Sequence, residues 1–156
     1  MGRSKTEVIL KENGDIFFDE NYKFEYGKAD LIRDGKDGYV ITMGCMVQRA
    51  IKVHEKLKEK GISIGILNFS CPTVIDEEKI KKAISTGFII TYEDHNVDTG
   101  LGATVGIYLS ENGYSGKFFR FGIKDYGGSG KPDMLFERIG LGVESIYKFI
   151  LKEVVQ

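Results

Sequence analysis

A chain of 156 residues, 42% hydrophobic and 29% charged, is long enough for one buried core and has the balance of a globular domain, not that of a disordered or membrane protein. Its 22 basic and 23 acidic residues leave a net charge of -1, so no basic excess points to nucleic acid. No apolar run reaches the ~20 residues of a membrane helix, and Met1 to Lys11 lacks the apolar centre of a signal peptide, so the expected location is the cytoplasm.

Residues 1–37 hold short apolar pieces, Val8-Ile9-Leu10 and Ile16-Phe17-Phe18, between polar turns without helical periodicity. They read as an arm or linker leading in from a preceding domain, and residues 38–156 as one domain. Tyr39 to Met43 is the first predicted strand. Gly44 follows, and then a helix with apolar positions at Val47, Ala50, Ile51 and Leu57 that Gly61 ends. A second strand, Ile62 to Leu67, leads through a turn at Asn68 to Thr73. The next helix opens with Asp76-Glu77-Glu78, acids suited to its positive end, and reaches about Gly87. A third strand, Phe88 to Tyr92, carries Glu93-Asp94-His95 at its carboxyl end, before Thr99-Gly100-Leu101-Gly102 and an apolar helix to about Leu109. A fourth strand, Phe118 to Ile123, precedes the loop Asp125 to Lys131. Pro132 suits the first turn of a helix from Asp133 to Ile139, and Val143 to Val155 is a final amphipathic helix. Strands alternating with helices predict an α/β fold of three layers, α/β/α, around a mostly parallel, mixed sheet of about five strands.

Several constellations are candidates for chemistry. Glu93, Asp94 and His95 are carboxylates and an imidazole at a strand end, where they would suit acid–base work beside a cleft; a hydrogen-bonded turn anchoring the next helix is the favoured reading. Gly100 and Gly102, ahead of a helix, would offer backbone amides to an anion. Their spacing and place after the third strand do not make a dinucleotide fingerprint, and close packing of helix on sheet is favoured. Gly127 to Lys131 resembles the end of a phosphate-binding loop, but Pro132 stands where that motif needs Ser or Thr. Cys45 opens a helix without a base nearby in sequence and reads as a small packed residue; His54 lies near an apolar stripe and is given no role. Cys45, Cys71, His54 and His95 show no metal-ligand spacing, and no metal is expected.

Taken in order, from about Arg3 to Val155, the chain resembles the carboxy-terminal domain of the transketolase family. The likeness is carried by Tyr26-Gly27-Lys28-Ala29, by Ile41 to Gly44, by Ile90 to His95 with Gly100-Leu101-Gly102, and by Ser129-Gly130-Lys131-Pro132 with Leu135. The sequence departs from the family at Cys71 to Asp76, where the family's proline falls just before the apolar residue, and at Thr99, where a glycine is frequent. Ser129 and Lys131 join Glu93, Asp94, His95, Gly100 and Gly102 as candidate strand-end and loop site residues. What the resemblance implies is a non-catalytic section that supports an enzyme moving two-carbon ketol units between sugar phosphates. Thiamine diphosphate and its magnesium or calcium ion would be held by the first of the family's two preceding domains, whose Gly-Asp-Gly motif is absent here. Those domains, on the same chain or on a separate subunit, are the expected partners, in a homodimer or heterotetramer of the pentose phosphate pathway. The last domains of deoxyxylulose-phosphate synthase and of two-oxoacid dehydrogenase subunits are similar too, and are the alternative.

Overall fold

The computed structural model describes residues 7–125 and 130–155. Five strands and five helices follow in the order β1 (Asp30–Arg33), β2 (Gly38–Thr42), α1 (Met46–Lys58), β3 (Ile64–Asn68), α2 (Glu77–Ile84), β4 (Phe88–Asn96), α3 (Leu101–Glu111), β5 (Lys117–Ile123), α4 (Pro132–Arg138) and α5 (Val143–Val155). They build one sheet in the order β1-β3-β2-β4-β5, with β1 antiparallel to β3 and every other pair parallel. The mixed, mostly parallel sheet of the sequence reading is therefore present.

Period-two alternation in the central strands sorts their side chains to two cores. Val40, Ile64, Ile66, Ile90 and Tyr92 face α1 and α5, which supply Val47, Val53, Leu57, Ile146 and Ile150. Tyr39, Ile41, Leu67 and Ile89 face α2 and α3, which supply Ile80, Ala83, Leu101, Val105 and Leu109. Burial of the strands on both faces explains why they read as continuous apolar runs. Each fully buried Ile or Leu contributes roughly 1.5–3 kcal/mol, so these two layers outweigh any surface contact.

Helix ends follow the sequence signals. Asp76 caps α2, its Oδ1 accepting from the amides of Glu78 at 3.1 Å and Lys79 at 3.3 Å. Gly61, at φ +76°, turns the chain off α1, a conformation only glycine adopts without strain. His54 is buried and its Nδ1 donates to the Ile64 carbonyl at 2.6 Å, which makes it a clamp between α1 and β3.

Two elements differ from the sequence reading. The fifth strand, β1, lies within the residues read as a leading arm. The arm ahead of it also packs on the domain: Phe17 and Phe18 rest on the α1–α5 core, and Arg33 Nη2 donates to the Leu10 carbonyl at 2.8 Å. Strand β4 runs on to Asn96, so Glu93, Asp94 and His95 are strand residues and not a turn. The extension holds because β5 is long enough to pair with it after an irregularity: Asn96 partners Ile123, and Val97 N donates to Ile123 O at 3.0 Å.

Candidate functional site

From β2 the chain moves by α1 to β3 on one side of the sheet. It then crosses back by α2 to β4 on the other side, so the order reverses between β2 and β4. The carboxyl ends of two such strands open a crevice, the usual ligand position of an open α/β sheet. Here it is a cavity of about 270 Å³ whose lining includes Met43, Thr73, Glu93, His95, Asn96 and Thr99.

Glu93 forms its floor. The side chain is fully buried, and its carboxylate accepts from Leu101 N at 2.8 Å and Gly102 N at 2.7 Å, the first amides of α3. A negative charge at a helix amino terminus is favourable, and here the protein supplies it itself. The two glycines make this possible. A Cβ on Gly100 would fall 2.0 Å from Glu93 Oε2 and 2.8 Å from the Asn96 carbonyl, and one on Gly102 would fall 2.7 Å from Thr91 Oγ1. Thr91 Oγ1 is buried without a hydrogen-bond partner among the described residues.

Consecutive strand residues point to opposite faces, so Glu93, Asp94 and His95 do not converge as one acid–base cluster. Asp94 turns toward α1, where the Cys45 thiol donates to its Oδ2 at 3.2 Å, and its Oδ1 lies 3.1 Å from His95 Nδ1. His95 is half exposed. Burial, and then the hydrogen bond to Asp94 and its charge, push the Cys45 thiol up to about 11, so it is protonated and unreactive at neutral pH.

The structure brings together Glu93, His95 and Gly100 at the crevice, with Gly102 directly behind. Lys131 is exposed ahead of α4, which Arg49 of α1 holds through Asp133 on the opposite face of the sheet from α3; it does not line the cavity. Ser129 lies outside the described residues, as do Gly127 and Gly128 of the loop resembling a phosphate-binding motif. At this helix start Glu93 already takes the Leu101 and Gly102 amides that the sequence reading offered to an anion. Sequence reasoning missed this cap. Its signal is an acid seven to nine residues ahead of glycines at a helix start.

Among the described residues no group of three or more His, Cys, Asp or Glu side chains is placed to hold a metal ion. With the crevice amides occupied as well, these residues do not fit thiamine diphosphate, whose diphosphate needs a metal or free donors. No helix among the described residues is long and apolar enough to cross a membrane.

A three-layer α/β domain with a crevice stopped by its own carboxylate defines a class of packed, parallel-sheet modules. Comparison with known proteins places it further. The family model for the transketolase C-terminal domain matches residues 27–146, and the chain belongs to that family. It is 41% identical over 154 residues to a protein of Methanocaldococcus jannaschii provisionally named a transketolase C-terminal section, covering 98% of this chain and 46% of that one. It is 36% identical over 131 residues to a 1-deoxy-D-xylulose-5-phosphate synthase of Clostridium tetani, covering 83% of this chain and 21% of that one. Among solved structures, a split-gene transketolase in an inactive β4 tetramer superposes with a TM-score of 0.85 at 28% identity, over 99% of this chain and 48% of that one. The chain thus spans half or less of these relatives, as a partial, transketolase-type section.

Proposed function

We propose that this chain is the C-terminal section of a thiamine-dependent transketolase of the cytoplasm. Joined to domains that carry the cofactor, it supports transfer of two-carbon ketol units between sugar phosphates in the pentose phosphate pathway. The observation that carries the reading is the match along 99% of the chain to a split-gene transketolase. The site geometry is consistent with a supporting role: Glu93 is committed to holding α3 on β4 and is not free to act on a substrate. In this reading thiamine diphosphate and its magnesium or calcium ion bind to the partner domains. The assembled enzyme is a homodimer or a heterotetramer, and copies of this chain meet one another in it. The self-assembly of the split-gene relative into a β4 tetramer supports that last point.

A second reading, a section of a deoxyxylulose-phosphate synthase, is favoured by the identity to the clostridial enzyme. One experiment separates the readings. Ketol transfer between pentose phosphates is measured with this chain alone, with a matching thiamine-binding section alone, and with both mixed. Activity confined to the mixture supports a transketolase section. Activity without this chain refutes it, and a mixture that instead forms 1-deoxy-D-xylulose 5-phosphate selects the synthase.

A further inference from the structure

We infer that the crevice at the carboxyl ends of β2 and β4 is a binding site for a small uncharged polyol, a pentose or a molecule of that size and chemistry. The inference goes beyond the supporting role proposed above and does not depend on it. The cavity of about 270 Å³ has room for roughly nine waters at ~30 Å³ each, or for one pentose of about ten non-hydrogen atoms. Its lining divides by chemistry. Met43 at the end of β2, Pro72 in the turn after β3 and Leu101 at the start of α3 supply apolar wall. Thr73, His95 and Asn96 are polar and exposed. Among the described residues no lysine or arginine lines it. Apolar walls that cover the C–H face of a ligand, with a few fixed polar groups that orient it, make a small-molecule site.

The polar groups are already fixed by the protein in what they can still bond. His95 Nδ1 lies 3.1 Å from Asp94 Oδ1, which holds the ring proton there, so the neutral imidazole presents Nε2 as an acceptor. Asn96 Oδ1 accepts from Asp98 N at 2.9 Å and from Thr99 Oγ1 at 3.3 Å. That fixes the way its amide points and leaves both protons of Nδ2 without a partner among the described residues. An acceptor and a pair of donors on successive residues match two neighbouring hydroxyls, one donating to Nε2 and the other accepting from Nδ2. A phosphate dianion could take the Nδ2 protons but has none to give Nε2, and the amides that would otherwise hold it belong to Glu93. An ammonium group could serve Nε2 but would leave Nδ2 unanswered.

The test titrates ribose, and separately ribose 5-phosphate, into the nitrogen-15-labelled chain and follows its amide resonances. Ribose is expected to give saturable shifts at Met43, Thr73, Asn96 and Thr99 with a Kd of about 1–50 mM, the scale for a ligand of about ten non-hydrogen atoms. Ribose 5-phosphate is expected to bind there no more tightly. Asn96→Asp keeps the Oδ1 acceptor and removes both donors, and His95→Ala removes the Nε2 acceptor. Each should weaken ribose about 2- to 10-fold, as loss of one hydrogen bond does. Both side chains are exposed, and His95→Ala carries the test if Asn96→Asp does not fold. Absence of saturable shifts at those four amides would overturn the inference. So would tighter binding of ribose 5-phosphate than of ribose, or wild-type affinity in either folded variant. The chain is alone in this measurement, so its failure leaves the ketol-transfer result standing, and the reverse also holds.

Discussion

Replacing Glu93 by alanine removes the one acceptor that two buried amides share. Leu101 N and Gly102 N, held at 2.8 and 2.7 Å, lose their partner in a place water does not reach freely. Leaving a buried donor unsatisfied costs roughly 1–3 kcal/mol, and the helix amino terminus loses a favourable charge worth about 0.3–2 kcal/mol. For the two amides and the charge together the sum is about 2–8 kcal/mol, a large share of the roughly 5–15 kcal/mol that holds a domain together. For a chain of this size each kcal/mol lowers Tm by about 2–4 °C, so Glu93→Ala is expected to melt about 5–30 °C below wild type. Glu93→Gln keeps one oxygen for one amide and turns its NH2 toward the other, so it should fall between the two. Urea titration followed by far-ultraviolet circular dichroism reads both. Glu93→Ala within about 0.5 kcal/mol of wild type would refute the capping argument.

Gly100→Ala drives a methyl into Glu93 Oε2 and the Asn96 carbonyl, and is expected to cost at least as much as ordinary overpacking, about 1–3 kcal/mol, by the same titration. Asp76 is pushed up by burial but pulled further down by the amides of Ala29, Lys79 and Glu78, so its carboxyl ends below the usual value. A depressed native pKa gives stability that is present above the unfolded value, near 4, and is lost as pH falls through the native one. Asp76→Asn should therefore flatten the acid side of the stability curve, and an unchanged slope between about pH 2 and 5 would count against it. Cys45 should react with iodoacetamide at pH 8 far more slowly than free cysteine, and Asp94→Asn should speed it by removing the negative charge beside the thiol; equal rates in the two proteins would contradict the contact.

Much of this architecture was legible in the sequence, because strands buried on both faces announce themselves as apolar runs and the helices carry their own stops. Asp76 and Gly61 are local signals, and they sit where a local rule puts them. Strand β1 was not legible: four residues, Asp-Leu-Ile-Arg, on an antiparallel edge with a register shift, give no alternation long enough to read. The true length of β4 was hidden for a related reason. Glu93, Asp94 and His95 look like a polar turn until β5 is there to pair beyond them. Glu93 itself could be read as an anchor, but not as the cap of two particular amides. That depends on how closely α3 settles on Thr91, which Gly100 and Gly102 permit and sequence spacing alone does not specify.

The carboxylate of Asp76 has one more effect. Its Oδ1 starts α2, while its Oδ2 accepts at 2.9 Å from the amide of Ala29, the residue just ahead of β1. One side chain thus ties together two points 47 residues apart in the chain. The amide just ahead of the antiparallel edge strand and the first turn of that distant helix thus share one carboxylate. The Ala29 amide is then a single-proton gauge of that turn: its hydrogen exchange would follow the opening of α2 even though no residue of α2 is its neighbour in sequence.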